Sequence, residues 1–368
     1  MSDDTGGDGG RDDDRSGRET AGDDTSGDDT TITDASAVDP VAAFACLGDE
    51  TRLSILEALY ERARADDGPG QRAVPYSELQ AAAGVEDSGK FNYHLTELRE
   101  FFVSKSEGGY SLDQTGATVA RLVLGNFGAG DPTLSEPAAE TACPQCGGTV
   151  VVSYDDQRVT TRCRDCPGHT ADPAVPTGTL SSLEYPPAGV AGRSGRQVLE
   201  RVHLRYELEC AAMAADVCPT CGGGVASELA VCSDHDDEGI CETCSYALGA
   251  VVGLACTVCG LHHVSPVAFA RTDSPVVTAA LATTDGDATA WERFATAAGW
   301  PVEPIETDEG LRVAVDPPDG PRFVVDDDLR IGPPATGDQD DDEWDAADAD
   351  DEWDAPTGTP PRPWGGSP

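Results

Sequence analysis

Lysine is almost absent from this sequence, since only Lys90 and Lys105 occur in 368 residues. Lysine and arginine together number 24 against 68 acidic residues, which gives a formal net charge of −44. The chain therefore lacks the broad basic surface that marks most proteins that bind nucleic acid. An acid excess of this size is typical of proteins from a halophilic cytosol, where a Debye length of about 3 Å in 1 M salt screens self-repulsion.

Long hydrophobic runs are also missing. No apolar stretch approaches the roughly 20 residues that a membrane span requires, and the N-terminal residues are acidic, unlike those of a signal peptide. These features predict a cytoplasmic protein without a membrane partner. Because a cytosol keeps thiols reduced, the 13 cysteines favour metal binding over a framework of disulfides.

Catalytic motifs are the third absence. The sequence contains no phosphate-binding loop, no dinucleotide-type glycine pattern, no Ser/His/Asp set and no carboxylate pair in an apolar setting. The acidic run Asp326–Asp328 is typical of a solvated turn. We therefore expect a protein that is not an enzyme.

The first ordered stretch, residues 38–128, opens with helix signals. Asp39-Pro40 predicts an N-cap followed by proline in the first turn, and Asp49 predicts the start of a second helix. The pattern Ser77-x-x-Gln80 predicts a capping box on a short third helix. In the second helix we expect an apolar face formed by Leu53, Leu56, Leu59 and Tyr60, with Arg52, Glu57 and Glu61 outside.

A fourth helix is predicted over SGKFNYHLTELREFF, capped by Asp87 or Ser88. The apolar residues Phe91, Leu95, Leu98 and Phe102 recur at helical spacing, which predicts one buried stripe and a polar outer face. Two short strands around Glu107-Gly108-Gly109 then predict a hairpin. Two helices joined by a tight turn and followed by a hairpin form the pattern of a winged helix-turn-helix.

The stretches LGDETRLSILEAL and GVEDSGKFNYHLTELREFFVSKSEGGYSLDQTG resemble the ArsR-type winged-helix regulators, and FNYHL resembles their halophilic archaeal version with appended zinc modules. The resemblance implies that the helix from Ser88 enters the major groove of DNA, often in a dimer. No Cys-x-Cys metal sensor is present, and Cys46 is expected to be a buried hydrophobe. His94 is either partly buried or in contact with DNA. The predicted DNA contacts are Lys90, Asn92, Tyr93, Thr96 and Arg99 on the helix, with Ser104 (or Ser106) and Lys105 on the hairpin.

Four cysteines lie within the next stretch, residues 143–166. The pairs Cys143/Cys146 and Cys163/Cys166 are separated by 16 residues, a spacing that predicts a structural zinc site with four thiolates. The alternating residues between the pairs predict a hairpin that turns at residues 155–157. A redox dithiol and unligated core cysteines are the alternatives.

A second group of ligands follows, with four pairs: Cys218/Cys221, Cys232/His235, Cys241/Cys244 and Cys256/Cys259. Joining alternate pairs leaves loops of 19 and 20 residues, which favours an interleaved site, whereas joining neighbouring pairs leaves loops of 10 and 11. These eight ligands predict one or two further zinc ions. The five residues between His235 and Cys241 argue against a RING finger.

Other histidines and cysteines have weaker patterns. His262 and His263 follow Cys259 closely and are alternative ligands. His203 and Cys210 lie on a helix predicted to begin near Ser194, and they are expected to be residues of a helix face. That helix is expected to pack on a zinc module.

The two ends of the chain have low complexity. Residues 1–37 carry 12 acids and 3 bases, and residues 332–368 carry 11 acids, one base and two copies of DDEWDA. Such segments cannot bury enough apolar surface to offset their chain entropy, so both are predicted to be disordered.

The sequence as a whole predicts an α+β multidomain regulator of transcription that binds double-stranded DNA. A homodimer and contact with proteins of the transcription machinery are the further expected associations. The alternatives are a protein-interaction scaffold that never binds DNA and a thiol oxidoreductase. The predicted parts are a disordered tail (1–37), a winged helix-turn-helix (38–128), a linker (129–142), a zinc ribbon (143–187), a connecting helix (193–216), a second zinc module (217–265), a small α+β segment (266–331) and a second tail (332–368).

Overall fold

The structure is a computed structural model that describes residues 39–65, 73–236, 239–282, 288–307 and 310–333. The predictions for residues 1–37 and for all but the first two residues of 332–368 lie outside the described residues. The chain divides into two compact units, Met1–Asp113 and Gln114–Pro368. The described residues form an α+β structure with eight α-helices and four antiparallel sheets. None of the described helices has the length and apolarity needed to cross a membrane.

The described residues of the first unit form four helices followed by a two-stranded hairpin. Residues Ser104 and Ser111 face each other across the hairpin, and Val74 adds an isolated bridge to Tyr110. The elements are α1 (Pro40–Cys46), α2 (Glu50–Ala65), α3 (Tyr76–Ala82), α4 (Ser88–Leu98), β1 (Val103–Ser106) and β2 (Gly109–Leu112).

The core of the first unit confirms the apolar stripe of α4. Its members, Phe91, Leu95, Leu98 and Phe102, are at most 2% exposed. The face predicted for α2 is partly wrong, because Leu53 is 45% exposed, whereas Ile55 is fully buried.

Arg52 was also expected to lie outside, but its side chain is largely covered. Its guanidinium donates to the carbonyl of Ala45 and lies 3.8 Å from Glu97. The buried face of α2 is therefore rotated from the predicted one, since Ile55 rather than Leu53 packs inward.

The helix caps follow the predictions except at α3. Asp39 accepts from the amide of Val41 at 2.9 Å, and Asp87 accepts from the amide of Lys90 at 2.9 Å. The Ser77–Gln80 capping box is wrong, because α3 begins at Tyr76 after Pro75 and has no side-chain cap. Gln80 instead donates to the carbonyl of Val85 (2.9 Å) and to Ser88 Oγ (3.1 Å), which ties α3 to the start of α4.

The second unit is larger and contains three sheets, in which the strands pair in chain order. Its first sheet turns from β4 to β5 at Asp156 and Gln157, as predicted, with both residues at positive φ. Its elements are α5 (Gln114–Phe127), β3 (Ala138–Ala142), β4 (Thr149–Asp155), β5 (Arg158–Cys163), β6 (Thr179–Glu184), α6 (Gly195–Ala214), β7 (Val225–Val231), β8 (Ala250–Cys256), β9 (His262–Pro266), α7 (Pro275–Ala282), α8 (Ala290–Ala298), β10 (Val302–Thr307), β11 (Gly310–Val315), β12 (Phe323–Asp326) and β13 (Ile331–Gly332).

The segment after Pro266 contains more regular structure than predicted. One helix and two strands were expected, and the structure adds α7, β10 and β13. The sequence of α7, PVVTAALA, is apolar almost throughout and so has no helical periodicity to detect. Strand β10 contains Pro304 and lies at the edge of its sheet, where a missing amide donor is tolerated.

Helix α6 carries most of the packing in the second unit, and its N-cap is Ser194, close to the predicted start, with a full capping box to Gln197. Its apolar residues face the first two sheets and α8, and His203 is fully buried against the rings of Trp291 and Phe294. A partly buried salt bridge, in which Arg293 Nε donates to Glu207 Oε1 at 2.7 Å, joins α8 to α6. The residues of the predicted α6 face are all buried: Leu199, Val202, Tyr206, Cys210 and Met213.

Candidate metal centres and the exposed face of α4

Three groups of four ligand atoms come together in the second unit, and within each group the atoms lie within 4.8 Å of one another. Each group could hold a metal ion. All 12 predicted zinc ligands take part, and the 13 cysteines form no disulfide. The groups are the first tetrad (Cys143, Cys146, Cys163, Cys166), the outer tetrad (Cys218, Cys221, Cys256, Cys259) and the inner tetrad (Cys232, His235, Cys241, Cys244).

The distances between ligand atoms fit tetrahedral coordination. With Zn–S bonds of about 2.3 Å, a tetrahedral site separates its sulfurs by about 3.8 Å. In the first tetrad Cys143 Sγ lies 3.7 Å from Cys166 Sγ, and Cys146 Sγ lies 3.5 Å from Cys163 Sγ. This is far beyond the roughly 2.05 Å of a disulfide, and the four thiols converge as ligands would.

The other two tetrads have the same dimensions. In the outer tetrad the Sγ atoms of Cys221 and Cys256 are 3.5 Å apart. In the inner tetrad His235 Nδ1 lies 3.6 Å from Cys244 Sγ, close to the value of about 3.6 Å expected when one ligand is a nitrogen at about 2.0–2.1 Å from zinc. The donor sets, four thiolates twice and three thiolates with an imidazole once, suit a soft or borderline divalent metal.

The eight later ligands are grouped differently from both predicted pairings. The first and fourth pairs meet in the outer tetrad, and the second and third pairs meet in the inner tetrad, so the two sites are nested. The cause is the β7–β8 hairpin, whose register places Val225 opposite Cys256 at one end and Val231 opposite Ala250 at the other. The outer pairs lie at the open end of this hairpin, and its loop folds back to bring the inner pairs together.

A common turn shapes four of the cysteine pairs. In each, the residue directly after the second cysteine donates its amide to the carbonyl of the first cysteine, for example Gly147 to Cys143 at 2.9 Å. This residue has a positive φ, which favours glycine. Three of the four are glycine and one is serine: Gly147, Gly222, Gly260 and Ser245.

Backbone amides also point at the sulfurs. The amides of Cys259 and Val258 donate to Cys256 Sγ at 3.4 Å and lower the pKa of that thiol to about 6. Burial and the neighbouring thiols raise the pKa of Cys166 to about 12. Deprotonation of all four cysteines of a tetrad would place four negative charges within 4.8 Å of one another, and a divalent cation among them would offset that repulsion.

One positioning residue was not singled out from the sequence. Asp165, inside the Cys163/Cys166 pair, accepts from the amide of Thr149 at 2.8 Å and so joins the two halves of the first tetrad. The only sequence signal for it is an acidic residue between two cysteines, which is indistinguishable from a solvated loop residue.

The remaining histidines and Cys210 are not part of any tetrad among the described residues. His263 Nε2 lies 3.0 Å from Glu209 Oε2, and His203 Nδ1 lies 2.9 Å from the carbonyl of Leu199. Burial lowers the pKa of His203 to about 4, so its imidazole is neutral at pH 7. The expectation that His203 and Cys210 belong to a helix face is confirmed.

The residues predicted to contact DNA lie together on the surface of the first unit. Tyr93 is 58% exposed on α4, whereas His94 beside it is buried with Nδ1 3.4 Å from Asp49. On β1, Lys105 lies over the ring of Tyr110 with Nζ 5.6 Å from its centre. The exposed predicted residues are Lys90, Asn92, Tyr93, Thr96, Arg99, Ser104 and Lys105.

Comparison with protein families identifies the second unit. The family described as "Domain of unknown function (DUF7351)" matches residues 140–331, just over half of the chain. The chain belongs to this family. The DUF7351 region contains all three tetrads, and the model of a further family, "Domain of unknown function (DUF7347)", matches residues 40–123. No curated protein and no solved structure matches the chain.

Proposed function

We propose that the protein is a DNA-binding regulator of transcription whose first unit is a winged helix-turn-helix. The observation that carries the proposal is the division of α4 into two faces. Phe91, Leu95 and Leu98 are fully or almost fully buried, whereas the five polar residues predicted to contact DNA are exposed. In this arrangement α3 and α4 form the helix-turn-helix, and the β1–β2 hairpin is the wing.

The side chains on the outer face of α4 suit contacts with bases and phosphates. Lys90 and Arg99 can donate to guanine or to phosphate, and Asn92 can form paired hydrogen bonds with adenine. Residues 38–127 nevertheless carry 14 acids and 8 bases. In molar salt the counterion-release contribution to binding is small, so the proposed complex would depend on base contacts and shape.

The proposed dimer has support on α1. Val41 and Phe44 are 73% and 77% exposed. They lie three residues apart in the helix and therefore on the same side of it. Apolar side chains with this exposure favour association with a second surface.

The three tetrads are proposed to hold structural zinc in zinc ribbons. Each offers four protein ligands, which closes a tetrahedral site and leaves no position for a substrate. Zinc binding contributes about 10–16 kcal/mol to the folding of small modules of this kind. The hairpins that carry the tetrads would therefore depend on the metal for their stability.

A DNA-binding measurement in high KCl tests the proposed function. We expect the Lys90→Ala/Tyr93→Ala variant to lose at least 10-fold in affinity for a fragment of the bound promoter, because it removes one cation and one aromatic side chain from the outer face of α4. Zinc content should stay unchanged. Genome-wide mapping of bound DNA supplies the fragment.

Arg62→Ala is the matched control, since Arg62 is exposed in the last turn of α2 and has no predicted contact. It should bind DNA as the unaltered protein does. Absence of a protected site on every upstream fragment would contradict the proposal and favour the scaffold alternative. Purification with titratable thiols and little zinc would favour the oxidoreductase.

A further inference from the structure

A groove runs along the outer side of α6. Leu204 and Leu208 are 46% and 63% exposed, one helical turn apart, and they form its floor together with Tyr185 and Pro219. The groove has a volume of about 310 Å³. The opposite face of α6 is buried in the second unit, and an apolar strip of this exposure on the outer face favours an occupant.

The groove is also basic. Arg201 and Arg205 lie on either side of Leu204 in sequence, one turn apart, and both are exposed. Arg205 pairs with Glu209, whereas Arg201 forms no ion pair within the described part of the chain. Burial raises the pKa of the Tyr185 hydroxyl, and the positive charges of Arg193, Arg201 and Arg205 act against that rise. Two guanidinium groups, those of Arg201 and Arg205, thus line the groove beside Tyr185 with one carboxylate, that of Glu209, in a chain with a net charge of −44.

One segment of the same chain has the complementary chemistry. Residues 341–346 and 350–355 both have the sequence DDEWDA, which places a tryptophan among carboxylates. A tryptophan suits a groove with a leucine floor, and its ring suits the face of an arginine. The flanking carboxylates suit the arginine side chains, with which they can form paired hydrogen bonds.

We propose that a DDEWDA motif of the C-terminal segment docks into the α6 groove of its own chain, with Trp344 or Trp353 against Leu204 and Leu208 and the acidic residues against Arg201 and Arg205. Two copies of the motif would raise the local concentration of the docking element. The contact is independent of DNA binding by the first unit.

The chain between the two partners is long enough. The described residues end at Pro333, and Trp344 and Trp353 follow 11 and 20 residues later. At roughly 3.3–3.6 Å per extended residue these segments span up to about 36–40 Å and about 66–72 Å. A unit of about 200 residues has a radius of gyration of about 16 Å, so the second motif can reach any part of its surface.

The charge distinguishes this groove from another exposed apolar surface of the second unit. Leu122 and Phe127 of α5 are 63% and 73% exposed, but the only basic residue of that helix is Arg121. An acidic motif should therefore prefer the α6 groove, and the α5 surface provides a matched apolar control.

Photo-crosslinking in the full chain tests the proposal. Benzoylphenylalanine is placed at position 344 or 353, the protein is irradiated in high KCl, and the cross-linked peptides are mapped by mass spectrometry. We expect cross-links within one chain to the peptide that contains residues 201–208, with a yield that does not depend on protein concentration. The Leu204→Ser/Leu208→Ser variant should reduce that yield at least 10-fold, whereas Leu122→Ser/Phe127→Ser should leave it unchanged.

Three outcomes would overturn the proposal. The cross-links could map elsewhere on the chain, or they could form only between two chains and rise with protein concentration. The third is an equal yield in Leu204→Ser/Leu208→Ser and in Leu122→Ser/Phe127→Ser. Each would place the motif on another surface or in another molecule.

A competition measurement provides a second readout that does not depend on cross-linking geometry. A synthetic peptide of residues 341–355 should bind the full-length Trp344→Ala/Trp353→Ala variant at least 5-fold more tightly than the unaltered chain, whose own motif occupies the groove. Adding Arg201→Glu to that variant should weaken peptide binding at least 10-fold. Equal affinity for all three proteins would contradict docking.

Discussion

Individual backbone positions decide whether the cysteines can converge. Gly178 has φ of +91° between β5 and β6, and its carbonyl accepts from the amide of Cys163 at 2.9 Å. A Cβ at Gly178 would lie 2.2 Å from the carbonyl oxygen of Cys163. The first tetrad thus depends on a residue that carries no ligand atom.

We expect Gly178→Ala to lower the free energy of unfolding by about 2–4 kcal/mol, because the new methyl group meets backbone atoms and the residue keeps a left-handed conformation. It should also weaken metal binding by the first tetrad, since Cys163 must move. Chemical denaturation and metal analysis of the purified variant measure both effects.

Gly192→Ala is the control for the conformational part of this cost. Gly192 also has a positive φ of 71°, but a Cβ there would meet no atom within 4 Å. It should cost only about 1–2 kcal/mol and leave the metal content unchanged. Equal losses in the two variants would show that the close contact at Gly178 is without consequence.

Residue patterns were predictable where one periodicity dominated. The stripe of α4 and the hairpin turn at Asp156 and Gln157 follow directly from spacing and turn chemistry. The buried face of α2 could not be predicted in this way, because Leu53 and Ile55 are both apolar. Only the packing of α2 against α3, α4 and β2 determines which of the two is buried. The capping box at Ser77 failed because the helix begins at Tyr76, directly after Pro75, so Ser77 already lies inside its first turn.

Among the elements, the β7–β8 hairpin determines which ligands share a metal. Loop length alone favoured an interleaved site, since loops of 19 and 20 residues are typical of such sites. Strand pairing overrode this preference by bringing Cys221 and Cys256 together across 34 intervening residues. All 12 ligands could be identified from the sequence, but their grouping could not, because it depends on a register between distant residues.

Nesting predicts that the inner tetrad can be lost without the outer one. In Cys244→Ser we expect the metal content to fall from three ions to two per chain, because the outer tetrad is closed by the hairpin strands and shares no ligand with the inner one. Mass spectrometry of the intact protein under native conditions measures the stoichiometry.

Cys46→Ser serves as the control, since Cys46 is a buried cysteine of the first unit outside every tetrad. It should retain three ions. A drop to one ion in Cys244→Ser would contradict this independence, because it would show that the outer tetrad cannot hold its metal without the inner one.

At the scale of the molecule, the two units differ in what stabilises them. The first unit has an apolar core built on α4 and no tetrad among its described residues, whereas the second unit contains all three tetrads found there. The α+β class and the multidomain character were predictable from the order of motifs. The segment after Pro266 was only partly predictable, because strand β10 and helix α7 lack the periodicity that indicates secondary structure.

Metal removal should therefore act on one unit only. After treatment with a mercurial reagent and a chelator, we expect amide hydrogen exchange to accelerate at least 100-fold across β4–β5 and β7–β8, because the hairpins lose the binding energy of the metal. Exchange in α4 should change less than 3-fold. Mass spectrometry of exchanged peptides measures both, and uniform acceleration through both units would contradict the assignment.

The nested tetrads give the β7–β8 hairpin an anchor at each end. If one strand slid by a single residue against the other, Cys256 would move away from Cys221. The loop that starts at Cys232 would be pulled open at the same time. Sheets usually rely on alternating side chains to prevent such slippage. Metal ions bound in both tetrads would lock the alignment instead, which would leave the outward-facing residues of these strands free to vary in sequence.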